Sequence, residues 1–198
     1  MNKETRILNV ELRTPENNED KMIIEGYAVT FNSPASHYGY TEIIDERALD
    51  NTDMSDVPLK YNHEDSHLIM ARTRNHSLEL KKDEKGLFFH AELLDTQSNK
   101  DIYKSVKSGL IDKCSFAFVV RGDEYDYETD TRRITDIERL YDVSVVDIPF
   151  YDSTSVYARN ENDDFLIRRQ ELRKQHEEEM RKEQELNQLK DELKKKLG

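Results

Sequence analysis

Three short segments carry side chains that could pass one proton between them. The first is Tyr61-Asn62-His63-Glu64-Asp65, entered from the apolar stretch Val57-Pro58-Leu59, which reads as a strand running into a loop. A histidine at a strand end beside polar residues can act as a general base, because imidazole as a class titrates near neutrality. The alternative is an ordinary structural or surface histidine, which is how His37, His67, His76, His90 and His176 read. The second segment runs from Gly109 to Phe118, with Ser115 opening an apolar strand in which Phe116 and Phe118 alternate with Ala117. Ser115 would then share a face with Ala117, and Cys114 would point the other way as a buried, inert thiol. A serine is a poor nucleophile until a base takes its proton, so Ser115 carries chemistry only if a histidine reaches it. Otherwise it is a serine hydrogen-bonding backbone at a strand end. The third is Leu140-Tyr141-Asp142-Val143-Ser144, where a carboxylate interrupts an apolar run and could orient an imidazole. Asp147 competes for that part, and an ordinary strand-end acid is the plainer reading.

A rival chemistry overlaps the first segment. His63-Glu64-Asp65-Ser66-His67 matches H-E-x-x-H, the zinc metallopeptidase pattern. That chemistry needs both histidines one turn apart on a helix. Pro58 upstream, the poor helix formers Asn62, Asp65 and Ser66, and the strand-like Leu68-Ile69-Met70 all oppose one.

The elements that must hold these residues are mostly strands. Ile7 to Leu12 and Met22 to Phe31 read as strands separated by the turn residues Asn17-Asn18-Glu19-Asp20. Ser77 to Lys82 and Gly86 to Leu94 read as a hairpin, Cys114 to Arg121 as an apolar strand, and Arg132 to Leu140 and Asp142 to Ile148 as two more, stopped by Pro149. One helix is expected over Ser98 to Ser108, with Ile102, Val106 and Leu110 at spacings of four and Gly109 as the C′ residue. Glu46 to Leu49 reads as a short helix. The expected fold class is α+β and strand-rich, a β-barrel-like core flanked by a few helices.

Composition changes near residue 160. Residues 161–198 contain 11 acidic and 10 basic residues and no proline. They read as one helix from about Asp163, with Leu172, Leu186 and Leu193 spaced by multiples of seven. A solvated helix with i,i+4 ion pairs and a coiled coil are both open, since Glu179 breaks the heptad series. The expected organisation is a domain over 1–160 and a charged helical tail over 161–198.

The 198 residues carry a net charge of -12, most of it before residue 160. That argues against nucleic acid as a partner, because such binders gather basic charge to offset phosphate. No run is long and apolar enough for a membrane span, and Met1 to Arg13 lacks the apolar core of a signal peptide. The expectation is therefore a cytosolic protein with no membrane partner. A single cysteine, Cys114, excludes an internal disulfide and a cysteine-rich zinc cluster. No cofactor or metal is expected.

The ordered set of segments resembles the prohead proteases of tailed bacteriophages over residues 5 to 158. Gly26-Tyr27-Ala28-Val29 with Phe31-Asn32 is similar to the family's opening strand, and Glu42-Ile43-Ile44 with Ala48-Leu49 to its next block. Asn62-His63-Glu64 followed by Arg72-Thr73, Gly109-Leu110-Ile111 leading to Ser115-Phe116-Ala117-Phe118, and Asp142-Val143-Ser144 with Pro149 and Thr154 complete the likeness. Ala71, Lys113 and Ala117 stand where glycine is expected, Phe150 where a small residue is usual, and Asp142 where the family usually has glutamate.

This resemblance implies an assemblin-like fold, as in the herpesvirus enzymes, and a serine endopeptidase with His63 as base, Ser115 as nucleophile and Asp142 orienting the imidazole. Backbone amides or Arg72 are the candidate oxyanion donors. The implied substrates are the major capsid protein and scaffold protein, with autocatalytic cleavage. The implied location is the assembling prohead in the host cytoplasm. The assemblin likeness also implies a homodimer, and the tail would dock to scaffold or capsid and be removed. A non-catalytic capsid-assembly or scaffolding protein with the same fold is the alternative, motivated by Asp142 and the missing glycines.

Overall fold

The computed structural model describes residues 3–8, 12–15, 21–37, 39–65, 69–147 and 164–197. The chain divides into two compact units, Met1–Ser155 and Val156–Gly198. The first unit is strand-rich, as expected. In chain order its elements are β1 (Glu4–Leu8), β2 (Ile23–Thr30), β3 (Ala35–His37), β4 (Tyr40–Ile44), β5 (Pro58–Tyr61), β6 (Ala71–Arg72), β7 (Leu78–Lys82), β8 (Gly86–Glu92), α1 (Gln97–Lys107), β9 (Lys113–Asp126) and β10 (Thr131–Val146). The second unit contains α2 (Asp164–Leu197).

Two sheets enclose the core. The larger has the order β1-β9-β10-β4-β3, with β5 also pairing β10 and β6 pairing β5. The smaller has the order β2-β8-β7. The expected hairpin of β7 and β8 is present, and a Cβ on Gly86 would collide with the Val29 carbonyl of the neighbouring strand. Only glycine permits that approach. Ile24, Leu59, Phe89, Phe116, Phe118, Ile134 and Leu140 are among the fully buried side chains. Phe116 and Phe118 stack with ring centroids 4.7 Å apart.

The strand β10 is the spine. It runs antiparallel to β9 along its length, and its other edge takes two parallel partners in turn. Thr131–Ile134 pairs with β4, and Val143–Val145 with β5. Between them, backbone groups of Ala48 and Asp53 bond Ile137, Glu138 and Leu140. The two strands expected over 132–148 are thus one, because β-bulges absorb the breaks in alternation.

Other expectations shift. The first strand is Glu4–Leu8 rather than Ile7–Leu12, of which residues 9–11 lie outside the described set. Apolar alternation misses it because Arg6 is a buried position satisfied by ion pairs. Glu46–Leu49 is a run of turns, with Ala48 and Asp50 amides bonding Asp45 and Arg47 carbonyls. The strand begins at Ala71, not Leu68.

Helix α1 starts at the N-cap Thr96, whose hydroxyl accepts from the Asn99 amide at 3.3 Å. Lys104 and Lys107 favour its C-terminal dipole. Gly109 ends it with φ +74°, a left-handed conformation suited to glycine. Leu110 therefore leaves the helical stripe and is 77% exposed, while Ile111 turns into the core.

Helix α2 forms where the tail was expected to be helical. Lys182 pairs with Glu178 and Arg181 with Glu185 at i,i+4. Met180, Leu186, Leu189 and Leu193 are exposed. No helix among the described residues is long and apolar enough to cross a membrane.

Candidate active site

His63 is placed by a tight turn at the end of β5. Asn62 and His63 both take positive φ, 51° and 57°, a conformation that costs non-glycine residues about 1–3 kcal/mol each and persists only where the surroundings enforce it. They do. The Asn62 amide donates to the Val145 carbonyl at 3.0 Å, the His63 amide to Ser144 Oγ at 3.2 Å, and the Asp147 amide to Asn62 Oδ1 at 3.2 Å. The Tyr61 hydroxyl adds a bond to Asp147 at 2.7 Å, which pushes its phenol up to about 12. The parallel pairing of β5 with β10 thus continues into the turn and hangs the imidazole over β10.

Ser115 lies opposite Ser144 in the β9–β10 ladder, and Ala117 lies opposite Asp142. Ser115 and Ala117 share a face, as expected from alternation. Cys114 faces the core, fully buried, and burial pushes its thiol up to about 12. It is therefore a poor nucleophile.

A bulge brings Asp142 to that same face. Leu140 pairs with Phe118, but Asp142 pairs with Ala117, so two residues of β10 pass one of β9 and Tyr141 is the extra one. Unbulged alternation would put Leu140 and Asp142 on one face. The bulge instead leaves Leu140 with the core phenylalanine and turns Asp142 toward Ser115.

The three side chains meet in a hydrogen-bonded chain. Asp142 Oδ1 contacts His63 Nδ1, and His63 Nε2 lies 2.5 Å from Ser115 Oγ. Ser144 Oγ donates to Asp142 Oδ1 at 3.0 Å and lies 3.2 Å from His63 Nδ1. Lys3 Nζ donates to Asp142 Oδ2 at 3.1 Å. Burial pushes the Asp142 carboxyl up, but the hydrogen bond and charge of His63, together with Lys3, outweigh it and hold the group below its ordinary value. A carboxylate fixed in that way keeps the Nδ1 proton in place and leaves Nε2 facing the serine hydroxyl. The arrangement can therefore move a proton from an attacking hydroxyl to a departing group.

Arg72, a candidate oxyanion donor, has its guanidinium on Asp56, with Nε at 2.5 Å and Nη2 at 2.8 Å. Residues 62–63 form a turn and no helix begins there. His67, the second ligand of the zinc reading, lies outside the described residues, as do Pro149, Phe150 and Thr154. Among the described residues no cluster of His, Cys, Asp or Glu could hold a metal ion.

Sequence reasoning missed two neighbours. Ser144 was legible in principle, two residues after Asp142 on the same strand face. Lys3 left no signal, since it arrives from the far end of the chain by way of β1.

Comparison with known proteins gives three results. No curated protein sequence matches the chain. Among solved structures, the bacteriophage T4 capsid assembly protease, gp21, aligns with a TM-score of 0.42 at 10% identity, over 72% of this chain and 98% of that one. Residues 8–166 match the family described as caudovirus prohead serine protease. That match runs from the end of β1 into the start of α2 and takes in most of the chain, so this protein belongs to the caudovirus prohead serine proteases.

Proposed function

We propose that this prohead protease is a serine endopeptidase in which Ser115 is the nucleophile, His63 the general base and Asp142 the group that orients the imidazole. The observation carrying this reading is the continuous contact from Asp142 through His63 to Ser115 Oγ. Ser115 Oγ attacks the carbonyl carbon of a peptide bond while His63 Nε2 takes its proton. The C–N bond then breaks and the same proton goes to the departing amine. Water attacks the resulting ester, giving one proton to His63. The ester bond breaks, Ser115 recovers that proton, and the carboxylic product leaves. Each step conserves atoms and charge and requires no cofactor.

The substrates are the capsid and scaffold proteins of the assembling prohead, and the chain itself. The test is co-expression of the chain with its capsid and scaffold partners, followed by intact-mass analysis. Wild type should yield truncated products and Ser115→Ala only full-length chains. Identical products from both would remove Ser115 as nucleophile. Assembly without any cleavage would favour the scaffolding role.

Residues 161–198 serve as a docking tail, carried by α2. Leu186, Leu189 and Leu193 are exposed on one face of α2 at i, i+3 and i+7 among dense charge of both signs, the pattern of a helix that docks by an apolar stripe with a charged rim. Deleting 161–198 should leave the protease outside assembled proheads. Wild-type amounts of the truncated chain in purified particles would sink that assignment.

A further inference from the structure

Ser144 is completely buried beside the Asp142–His63 contact, and the acyl-transfer steps give it no part. It lies opposite Ser115 in the β9–β10 ladder and opposite Lys60 in the β5–β10 ladder. Strand β10 therefore places it between Ser115 on one side and β5, from which His63 turns, on the other. A buried hydroxyl must be hydrogen-bonded to offset its lost hydration. The partners of this one are His63 and Asp142.

The proton count orders these contacts. The His63 amide donates to Ser144 Oγ at 3.2 Å. Serine has one proton to give, and Oγ lies 3.0 Å from Asp142 Oδ1 and 3.2 Å from His63 Nδ1. Nδ1 already carries the proton that it gives to Asp142, so it cannot accept another. The Ser144 proton therefore goes to Asp142 Oδ1. The contacts close into a ring, from the His63 amide to Ser144, from Ser144 to Asp142, and from the His63 imidazole back to the same carboxylate oxygen. The main chain and the side chain of one residue are tied to a single atom.

We infer that Ser144 is a positioning residue of this protease, whose hydroxyl holds the His63 main chain in its left-handed turn and the Asp142 carboxylate in the orientation that receives Nδ1–H. The inference rests on the reading of Ser115, His63 and Asp142 given above. Two observations make such a residue necessary. His63 holds φ 57°, which a non-glycine residue keeps only where its surroundings enforce it. The χ2 torsion of an aspartate is broad, and the other donor on Asp142 is Lys3, which sits on Oδ2 with its side chain 43% exposed. Without Ser144, no buried donor besides the imidazole itself fixes Oδ1 among the described residues. The carboxylate then turns, and Nε2 drifts from its place 2.5 Å from Ser115 Oγ.

The test uses the full-length chain and a peptide spanning a cut site mapped by the co-expression experiment. Ser144→Ala should lower kcat by about 10- to 100-fold, the range for losing a hydrogen bond to a charged group or misplacing a reacting group by about 1 Å. KM should stay within about twofold, because the substrate does not meet Ser144. A spectroscopic signature accompanies the loss. A proton held between Nδ1 and a carboxylate is strongly deshielded, so chain labelled with ¹⁵N-histidine should show one far-downfield resonance, absent from Asp142→Asn. In Ser144→Ala that resonance should broaden or vanish through exchange with water. Wild-type kcat, a rise in KM without a fall in kcat, or an unchanged resonance would overturn the inference.

A second variant covers the case in which Ser144→Ala does not fold. Ser144→Cys nearly conserves volume but offers a thiol, a weak donor and acceptor. It should fold and show the same fall in kcat. Wild-type kcat in Ser144→Cys discards the need for the hydroxyl and leaves the protease reading standing. A Ser144→Cys chain that also fails to fold makes Ser144 a folding residue and discards the inference as well. No Ser115-dependent cleavage by the wild-type chain removes the protease reading itself, and the inference with it.

Discussion

Asp142→Asn should lower kcat by about 10⁴ with little change in KM, the loss found when the triad aspartate of a well-studied serine protease is amidated. The reason lies in the hydrogen-bond chain. Asp142 accepts at His63 Nδ1, so Nδ1 carries the proton and Nε2 is free to accept from Ser115. An amide NH₂ in that place donates to Nδ1 and drives the proton to Nε2, where it blocks the serine. Ser144 Oγ and Lys3 Nζ, which now address the two carboxylate oxygens, would both have to find the remaining amide oxygen. Cleavage of a peptide spanning a mapped cut site, measured under saturating conditions, checks the prediction. A fall in kcat of less than tenfold would remove Asp142 from its orienting role. The pH dependence has a definite sign. Because the folded-state pKa of Asp142 is depressed, its support for His63 is present above the ordinary carboxylate range and is lost only as pH falls through a still lower value. Asp142 should therefore contribute no inflection near neutrality.

The residues of the candidate site are more legible in the sequence than the frame that holds them. Alternation about Phe116 and Phe118 assigns Ser115 and Cys114 to opposite faces, and the structure has them so. Turn residues after Val57-Pro58-Leu59 locate His63 at the end of a short strand, but they do not show that two left-handed residues are needed to aim it. Asp142 is a sharper case. Alternation alone sends it to the core beside Leu140, and only the bulge at Tyr141 returns it to Ser115. A bulge depends on how two strands register across the sheet, which no local window encodes. The same limit hides β1. Its pairing with β9 brings residues near position 6 against residues near position 116, and Arg6, a buried position of the strand, is charged, so hydrophobic periodicity does not mark it.

Glu42→Ala should destabilise the first unit by about 3–5 kcal/mol, the range for removing one partner of a buried ion pair. Glu42 is buried between two guanidiniums that have little other access to water. Arg6 and Arg132 are themselves 5% and 2% exposed. Arg6 bonds both Glu42 oxygens, and Arg132 reaches Glu42 at 3.1 Å, Glu4 at 2.7 Å and Asp123 at 2.7 Å. The cluster joins β1, β4, β9 and β10, so it ties the sheet together across its width. Removing Glu42 leaves Glu4 and Asp123 to balance both arginines, and Glu4 belongs to the strand that Arg6 anchors. The cost should appear as a lower urea midpoint with the slope nearly unchanged. Burial pushes the Glu42 carboxyl up, but the charge and hydrogen bonds of Arg6 and then Arg132 win and hold it below its ordinary value. Its stabilisation is thus complete above the unfolded carboxylate pKa and lost as pH falls through the folded one. Glu42→Ala should flatten that acid limb, whereas Asp142→Asn should leave the part due to Glu42 intact. A Glu42→Ala protein as stable as wild type at neutral pH would mean that the two arginines find solvent without their carboxylate, and that the sheet does not need the cluster to hold β1.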